Sequence, residues 1–491
     1  MNDWSRGYVA DEPYTVSYQA ELAPAHLDLA CRMMGAVWEP APDMAICEIG
    51  CGRGYAALLL AAADPRRTVV GIDYNPAHIA EARAFAAEAG IGNAVLLDAD
   101  LAELGEAEIA RLPDFDLVYG HGIWTWVGDP VREGIIRLLR RKLKPGGILH
   151  LTYNALPGFA RDLPLQRLIR SVASLLPGGS IPRVQEAIEV VRALADAGAV
   201  QLHDTPLLRE VLKSADSLEP AYLAHEFLPE HWRPAFHADV AADMARAQLA
   251  FVGSATLFEN VPELCMDPAQ KAVAERIPAG PVRELVKDIC LTRPFRRDIF
   301  MRGVRRADRT ALLDPVVLGL QVEAPSPPKL SVQVGTAEFG PEMAEPIMAA
   351  LAEGPQTVGR LRNLPEGRKP NAAELCVLLC GTPTCLPMPP GSRDVAAAVR
   401  FNRAAAARYG YVKGPRLGIC APGAGAGIAA YALEVAIAAD VGAFPDDTPG
   451  QRAMRLAADT SEASLRDATA TIERVLRDRL AVWRRFGVVQ P

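Results

Sequence analysis

Three glycines stand at alternate positions between a short apolar run and an alanine-rich run of the 491-residue chain. The stretch Met44–Ala57 reads M-A-I-C-E-I-G-C-G-R-G-Y-A-A, with the glycines at positions 50, 52 and 54. A buried strand that turns tightly into a helix has this pattern, because glycine permits unusual backbone conformations and a close approach of a ligand. The third glycine follows the second by two residues, whereas the dinucleotide fingerprint requires three. The spacing therefore predicts a nucleotide-type ligand at a strand–helix turn and makes NAD a weak alternative.

Strands and helices alternate from this turn to about residue 155. Because alternating βα units imply a parallel sheet with helices on both faces, the sequence predicts an α/β fold with a doubly wound, Rossmann-like sheet. Ligands of such sheets bind at the carboxyl ends of the strands. The run L-K-P-G-G at 143–147 is predicted to be a turn before the fifth strand. The five predicted strands are Met44–Ile49, Thr68–Asp73, Ala94–Asp98, Phe115–Gly120 and Ile148–Tyr153.

Acidic residues end the second and third predicted strands. Asp73 is placed to accept hydrogen bonds from both ribose hydroxyls of an adenosine, although it could instead cap the helix that follows. Asp98 and Asp100 form a D-x-D pair after the third strand. We expect Asp100 to face an adenine amino group with Leu101 against the ring, while plain turn chemistry is the alternative for this pair.

Two tryptophans and a histidine follow the fourth predicted strand, in the segment Tyr119–Trp126. Aromatic faces in such a place can hold an incoming amine by cation–π contact, although aromatic runs often belong to a core. Tyr153 and Asn154 end the fifth strand and should reach the same edge of the sheet as His121. The upstream segment Tyr14–Tyr18 either lies across the mouth of this site or packs on the surface.

Together, the glycine turn, the acidic end of the second strand, the D-x-D pair and the L-K-P-G-G run resemble class I S-adenosylmethionine-dependent methyltransferases over residues 44–155. A narrower resemblance is to bacterial methyltransferases with a methyltransferase regulatory domain, a group that includes rickettsial protein-lysine methyltransferases of an outer-membrane protein. It covers about residues 10–310. The chain departs from the pattern at Phe159, where the group more often has Trp, and at Pro294, where it more often has another residue. The motifs that carry it are Y-T-V-S-Y, H-G-I-W-T-W-V, Y-N-A-L-P-G, Y-L-A-H-E-F-L and L-T-R-P-F-R-R.

The resemblance implies S-adenosyl-L-methionine as cofactor and assigns the candidate residues to two sets. The expected cofactor-binding residues are Tyr14, Glu48, Gly50, Cys51, Gly52, Gly54, Asp73, Tyr74, Asp100, Leu101 and His121. The expected catalytic residues are His121, Trp124, Tyr153 and Asn154. If the methyl acceptor is a lysine, we expect Trp124, Trp126 and Tyr153 to make a dry pocket that lowers the pKa of its amine by desolvation.

Methyl transfer to lysine side chains of a protein substrate is the first functional hypothesis. A small-molecule or glycan O- or N-methyltransferase is the second, with the helical region as a lid. The third is a non-catalytic cofactor-binding regulatory protein. Intact Glu48, the three glycines and Asp73 argue against the third, because a site without a ligand does not need them.

A chain of this length should hold two or three domains. The predicted organisation is a cap segment (1–43), the cofactor-binding domain (44–160), a helical regulatory or substrate domain (161–323), a stiff proline-rich linker (324–330) and a mostly helical, winged-helix-like C-terminal domain (331–491). Homodimerisation is implied by the resemblance. The helices predicted in the middle domain are Leu165–Leu176, Val184–Ala197, Thr205–Ser214 and Val240–Leu249.

Composition argues against several partners and locations. The net charge of −7 and the pI near 5.7 do not favour nucleic acid. The nine cysteines are scattered, as in a cytoplasmic protein with reduced thiols, and we expect no membrane insertion because no long charge-free apolar run occurs. Neither the spacing of His225, His231 and His237 nor the cysteines at 376, 380 and 385 match a familiar metal pattern, so we expect no metal.

Overall fold

A mixed β-sheet in the order β3-β2-β1-β4-β5-β8-β7 forms the centre of the computed structural model. The structure describes residues 5–203, 205–208, 211, 220–323, 326–366, 369–390, 394–409, 417–457 and 461–490. Strands β1 to β5 run parallel, whereas β8 is antiparallel to both β5 and β7. This sheet confirms the Rossmann-like part of the predicted fold. Its strands are Ala45–Ile49 (β1), Thr68–Asp73 (β2), Ala94–Asp98 (β3), Phe115–Gly120 (β4), Leu143–Leu156 (β5), Leu249–Ser254 (β7) and Phe295–Arg302 (β8), and Ala235–Phe236 (β6) pairs with β5.

The central strands are buried on both faces. Every residue of β1 and β4 is buried, which is why both read as continuous apolar runs in the sequence. Neighbouring side chains of β1 enter different cores, since Ile46 packs with helix Tyr55–Ala63 and Cys47 with helix Asp129–Lys142. Strands β2, β3 and β4 have their predicted bounds, and β1 begins one residue later than predicted.

Strand β5 begins earlier than the sequence predicts. The run L-K-P-G-G belongs to this strand and is not a separate turn. Leu143 pairs with Phe115 and Ile148 with Leu117, so the register shifts between these two pairs. Gly146 has a φ of +80°, which allows β5 to bulge at this point without ending. The turn-forming residues therefore mark an irregularity inside the strand.

Residues 161–323 are less helical than predicted, because they supply β6, β7 and β8. The predicted helix Val240–Leu249 ends at Ala245, and Leu249 opens β7. Strand β8 reads F-R-R-D-I-F-M-R, and its Arg296 and Asp298 are fully buried and paired with each other. Much of the predicted helix Thr205–Ser214 lies outside the described residues.

Helices cover both faces of the sheet and continue past its last strand. Those up to residue 323 are Pro24–Met33, Tyr55–Ala63, Pro76–Ala89, Glu106–Arg111, Asp129–Lys142, Leu163–Leu175, Ser180–Asp196, Val200–His203, Pro220–Phe227, His237–Ala245, Pro262–Cys265, Pro268–Glu275, Pro281–Cys290 and Arg309–Leu313. Those beyond it are Pro341–Glu353, Val358–Leu361, Ala372–Cys380, Val395–Tyr409, Ala432–Ala443, Pro449–Leu456 and Glu462–Arg485. In the described part of the chain, none of the helices is long and apolar enough to cross a membrane.

The C-terminal part combines helices with three small sheets. One sheet has the order β12-β9-β13, and two hairpins pair β10 with β11 and β14 with β15. The last hairpin packs on helix Tyr55–Ala63, where the Tyr55 hydroxyl donates to the Gly418 carbonyl at 2.7 Å. The winged-helix-like topology of this part stays a prediction. The strands are Val317–Leu320 (β9), Lys329–Val332 (β10), Gly335–Glu338 (β11), Gln356–Thr357 (β12), Cys385–Pro387 (β13), Leu417–Ala421 (β14) and Ala426–Ala430 (β15).

Candidate active site

A cavity of about 890 Å³ lies at the carboxyl ends of β1 to β4. A second cavity of about 510 Å³ adjoins it and adds Glu48 and Cys51 to the walls. Most of the residues predicted to bind the cofactor therefore line these two cavities, which share Tyr14, Gly50, Gly52 and His121. Those lining the first cavity are Tyr14, Gly50, Gly52, Asp73, Tyr74, Asp100, Leu101 and His121.

The glycines of the turn after β1 have different surroundings. Gly50, Gly52 and Gly54 all have positive φ angles, between +50° and +75°, which favour glycine. A Cβ added to Gly52 would meet no atom within 4 Å, so this residue leaves open space beside the cavity. A Cβ added to Gly54 would lie 2.7 Å from that of Ala82, so this residue serves helix packing and lines neither cavity.

The Asp73 carboxylate connects the end of β2 to the glycine turn. One oxygen accepts a hydrogen bond from the Gly52 amide at 2.8 Å, and the other accepts from the Asn75 amide at 2.9 Å. The carboxylate also lines the cavity, where its remaining lone pairs can accept donors from a ligand. Asp73 thus holds the turn in place and presents an acceptor to the cavity.

Glu48 ends near the second cavity with an unsatisfied carboxylate oxygen. Its Oε2 atom is buried and has no hydrogen-bond partner among the described residues. Burial raises the pKa of Glu48 to about 8. A buried polar atom without a partner costs free energy, so a ligand that brings a donor to this atom would be stabilised.

The two aspartates of the D-x-D pair after β3 have different surroundings. Asp100 lines the cavity, whereas Asp98 is exposed and lies away from it. One Asp100 oxygen accepts from the Ala102 amide at 2.8 Å, and the other forms an ion pair with Arg6. Leu101 is buried at the cavity wall. Asp100 therefore also holds the N-terminal segment against this end of the cavity.

The N-terminal segment, residues 5–14, covers the cavity with Ser5, Arg6, Tyr8 and Tyr14. The Gly7 carbonyl accepts from the Glu230 amide at 2.7 Å, and His225 Nε2 lies 3.0 Å from the Glu12 carbonyl oxygen. Tyr14 thus has the covering position that was one of its two predicted alternatives, whereas Arg6 and Tyr8 were not predicted. Neither has a periodic pattern around it, and both gain their role through contacts with distant parts of the chain.

His121 lines both cavities at the end of β4. Its Nδ1 atom lies 3.3 Å from the Thr152 hydroxyl oxygen, which also accepts from the Gly122 amide at 2.9 Å. Burial, followed by the nearby positive charge of Arg297, lowers the pKa of His121 to about 4. The imidazole is therefore uncharged at neutral pH.

Trp124 and Tyr153 lie away from the cavity. Trp124 is 1% exposed and packs in the core, with the Arg132 guanidinium 4.9 Å from its ring centre. The Tyr153 hydroxyl donates to Asp298 at 2.6 Å within a fully buried network. Successive side chains of a strand point to opposite faces, so Tyr153 faces away from the side on which Thr152 meets His121. These positions do not bring the two rings into contact with a ligand in the cavity.

An aromatic cluster of Trp126, Phe159 and Trp232 stands beside the cavity. Trp126 lines the cavity, and the partly buried ring of Tyr8 joins the two regions. The Phe159 and Trp232 rings meet edge to face, with centroids 5.5 Å apart. Each ring of the cluster is more than nine-tenths buried. This cluster combines the segments after β4 and after β5 with Trp232.

Asn154 connects the end of β5 to the same region. Its backbone amide donates to the Thr125 hydroxyl at 2.8 Å, and its side-chain amide lies 3.5 Å from a Glu226 carboxylate oxygen. Of the four residues predicted to be catalytic, His121 and Asn154 thus lie at the cavity or next to the aromatic cluster. Glu226 and Trp232, which contact this region, were not among the predicted residues, because their sequence surroundings are those of an ordinary helix and loop.

Two family models match separate parts of the chain. Residues 46–147 match a model described as a methyltransferase domain, and residues 219–302 match one described as a predicted methyltransferase regulatory domain. The uncharacterised protein sll1526 of Synechocystis is 32% identical over 366 residues, which are 73% of this chain and 71% of that protein. The chain belongs to the S-adenosylmethionine-dependent methyltransferases. The resemblance to methyltransferases with a regulatory domain is therefore confirmed.

Other relatives match very different shares of this chain. Trans-aconitate 2-methyltransferase from Methylobacterium radiotolerans is 30% identical over 148 residues, 30% of this chain and 50% of that protein. PKMT2 from Rickettsia typhi, solved in complex with AdoHcy, matches with a TM-score of 0.72 and 16% identity. That match covers 97% of this chain and 99% of PKMT2 and shows a shared fold.

The cavity fits S-adenosylmethionine, the cofactor of this methyltransferase. Asp73 offers a carboxylate to a ribose, and the open space over Gly52 admits a ligand close to the backbone. The unsatisfied oxygen of Glu48 suits the ammonium group of an amino acid portion. The cavity walls thus offer hydrogen-bond acceptors at Asp73 and Glu48 and an apolar surface at Leu101. An adenosine with an attached amino acid requires both kinds of contact.

Proposed function

We propose that this methyltransferase transfers methyl groups to lysine side chains of a protein substrate. The observation that carries the proposal is the aromatic cluster of Trp126, Phe159 and Trp232 beside the cofactor cavity. A lysine side chain has four methylene groups and a cationic end, which suit apolar contact and cation–π contact respectively. The similarity in fold to PKMT2 over nearly the whole chain supports a protein substrate.

The cofactor is held by the residues around the two cavities in this proposal. Asp73 accepts the ribose hydroxyls, Leu101 packs on the adenine, and Glu48 receives the ammonium group. The Gly50–Gly52 turn lets the ligand approach the backbone. Tyr14 and Tyr74 cover the cavity from the N-terminal side and from the end of β2.

The acceptor amine must lose a proton before it can react. When bound, the cofactor supplies an electrophilic methyl group on a sulfonium, whose thioether leaves without an acid. The reference pKa of a lysine ammonium is near 10.4, and removal from water lowers it. The largely buried rings of Trp126 and Trp232 exclude water from the acceptor, so its lone pair becomes available at a lower pH.

Two polar groups at the strand ends position the amine. His121 is uncharged at neutral pH, so it can accept a hydrogen bond from the amine without adding a positive charge. Asn154 lies at the end of β5 on the side of the aromatic cluster. Alignment of nitrogen, methyl and leaving sulfur is the main requirement of such a displacement, and positioning can contribute several powers of ten to its rate.

Labelled methyl transfer into a protein extract tests this function. The purified enzyme is incubated with methyl-labelled S-adenosylmethionine and a cell lysate, beside an aliquot whose amines have been acetylated. We expect labelled methyllysine in hydrolysates of the untreated proteins, little label in the acetylated aliquot, and none with the Asp73→Ala variant. Equal labelling of both aliquots would contradict a lysine acceptor. Label confined to small molecules would favour a small-molecule methyltransferase.

A further inference from the structure

The carboxylate of Glu226 lies at the junction of the aromatic cluster and β5. Glu226 is in helix Pro220–Phe227, within the part that matches the regulatory domain model. Its Oε1 atom accepts from the Trp232 indole N–H at 3.4 Å and from the Asn154 amide at 3.5 Å. The Trp126 indole N–H lies 3.4 Å from the backbone oxygen of Glu226. Two donors, from Asn154 and Trp232, thus meet at one carboxylate oxygen, and a third, from Trp126, meets the backbone of the same residue.

The hydrogen bonds to this carboxylate are long. Neutral N–H···O bonds are commonly about 2.9–3.0 Å, and bonds from an ammonium to a carboxylate are about 2.7–2.9 Å. Glu226 therefore keeps unused capacity for a stronger, charged donor. The residue is partly buried and stands against Trp126, which lines the cavity.

The groups that face Glu226 leave its negative charge unbalanced. Within the described ranges, none of the ion pairs includes this residue. The tyrosines near it, Tyr8, Tyr14 and Tyr222, have pKa values raised by burial and then by acidic or phenolic neighbours including Glu226, so they stay neutral. The adjacent His225 is also uncharged at neutral pH, because burial lowers its pKa to about 4. A cationic ligand would supply the missing charge.

We propose that Glu226 binds the methyl acceptor and selects a protonated amine over neutral or anionic acceptors. This inference rests on the proposed function, which it extends by naming the residue that recognises the acceptor. The ammonium end contacts the Glu226 carboxylate, which takes up its proton before methyl transfer so that the neutral amine reacts, while the methylene chain lies on Trp126 and Trp232. A carboxylate acceptor would meet a like charge in a site with little water and is excluded. The regulatory region therefore supplies part of the acceptor site.

Titration of the full-length enzyme with two small probes tests the selection. The enzyme is loaded with S-adenosylhomocysteine, and binding of n-butylammonium and of n-butyrate is measured by calorimetry. We expect the wild type to bind n-butylammonium and to reject n-butyrate. The Glu226→Gln variant, which has the same shape without the charge, should bind n-butylammonium at least about 10-fold more weakly and lose the discrimination against n-butyrate.

A matched control separates this effect from a general loss of charge or fold. Glu189→Gln removes an exposed carboxylate from helix Ser180–Asp196, where Glu189 pairs only with Arg192 among the described residues, and it should leave probe binding unchanged. Unchanged affinity of Glu226→Gln for S-adenosylhomocysteine shows that its cofactor site is folded. If Glu226→Gln binds n-butylammonium as tightly as the wild type, the inference is overturned.

The outcomes for Glu226 and for the proposed function can be told apart. If lysines in the protein extract are methylated and Glu226→Gln has the wild-type KM for them, the inference fails while the function stands. If n-butylammonium binding depends on Glu226 but protein lysines are not methylated, the function fails. The inference then holds for a small amine as acceptor.

Discussion

Replacement of Asp73 by alanine should weaken cofactor binding far more than any surface substitution nearby. In the structure the carboxylate accepts hydrogen bonds from the Gly52 and Asn75 amides, and it faces the cavity. Two ribose hydroxyls bound by this carboxylate would each contribute about 1.5–3 kcal/mol, as hydrogen bonds to charged groups do. Loss of both, taken at the lower value, weakens the affinity for S-adenosylmethionine by about 100-fold.

Calorimetric titration with S-adenosylmethionine measures this effect. Asp98→Ala is the matched control, because Asp98 is the partner of Asp73 in the neighbouring strand but is exposed and lies outside the cavity. We expect Asp98→Ala to bind like the wild type. The loss of two backbone partners also destabilises Asp73→Ala, so its thermal unfolding is recorded and the titration is run well below the transition. An affinity of Asp73→Ala within about 3-fold of the wild type would refute the ribose assignment.

Three further variants and two pH dependences test packing, proton linkage and acceptor binding. Gly54→Ala would place a Cβ 2.7 Å from that of Ala82, so the free energy of unfolding in urea should fall by about 1–3 kcal/mol, and an unchanged value would contradict the packing argument. Burial raises the pKa of Glu48 to about 8 from its ordinary value of 4.5, so the folded state binds more protons than the unfolded state between these values. The free energy of unfolding of the ligand-free protein should therefore fall as the pH rises from about 5 to about 8. Glu48→Gln should flatten this dependence. The same slope in both proteins would exclude Glu48 as its source. Trp232→Phe removes the indole donor to Glu226 and should raise the KM for the acceptor severalfold at constant cofactor affinity, and an unchanged KM would argue against a role of this indole. Removal from water raises the pKa of Glu226 to about 7. The KM for the acceptor should therefore increase as the pH falls through 7, because the carboxylate takes up a proton. A KM that stays constant between about pH 6 and pH 8 would contradict this.

The cofactor half of the site could be predicted from the sequence because its signals are local. The glycine turn and Asp73 stand at fixed positions relative to β1 and β2, and parallel strands bring their ends together whatever the rest of the chain does. The same local reasoning placed Asp100 and His121 at the cavity. Strand alternation also separates Tyr153 from Asn154, since adjacent residues of β5 point to opposite faces.

The acceptor site that we propose could not be predicted in this way. Glu226 lies 72 positions from Asn154 and 100 from Trp126, so its role depends on the packing of separate units. Strand β8 was missed because its charged side chains are paired inside the protein, which hides the apolar pattern of a buried strand. Segments of this kind become recognisable only when their partners are known.

The N-terminal segment has a practical consequence for handling the enzyme. Ser5 and Arg6 line the cavity that fits the cofactor, so a sequence fused to residue 1 is attached only four residues before this wall. An affinity tag at this end would compete with the segment for space or hold it away from its contacts at Asp100 and Glu230. Kinetic constants measured with such a tag in place would describe an altered cavity. Purification through a tag at the opposite end leaves this wall of the cavity as the chain itself builds it.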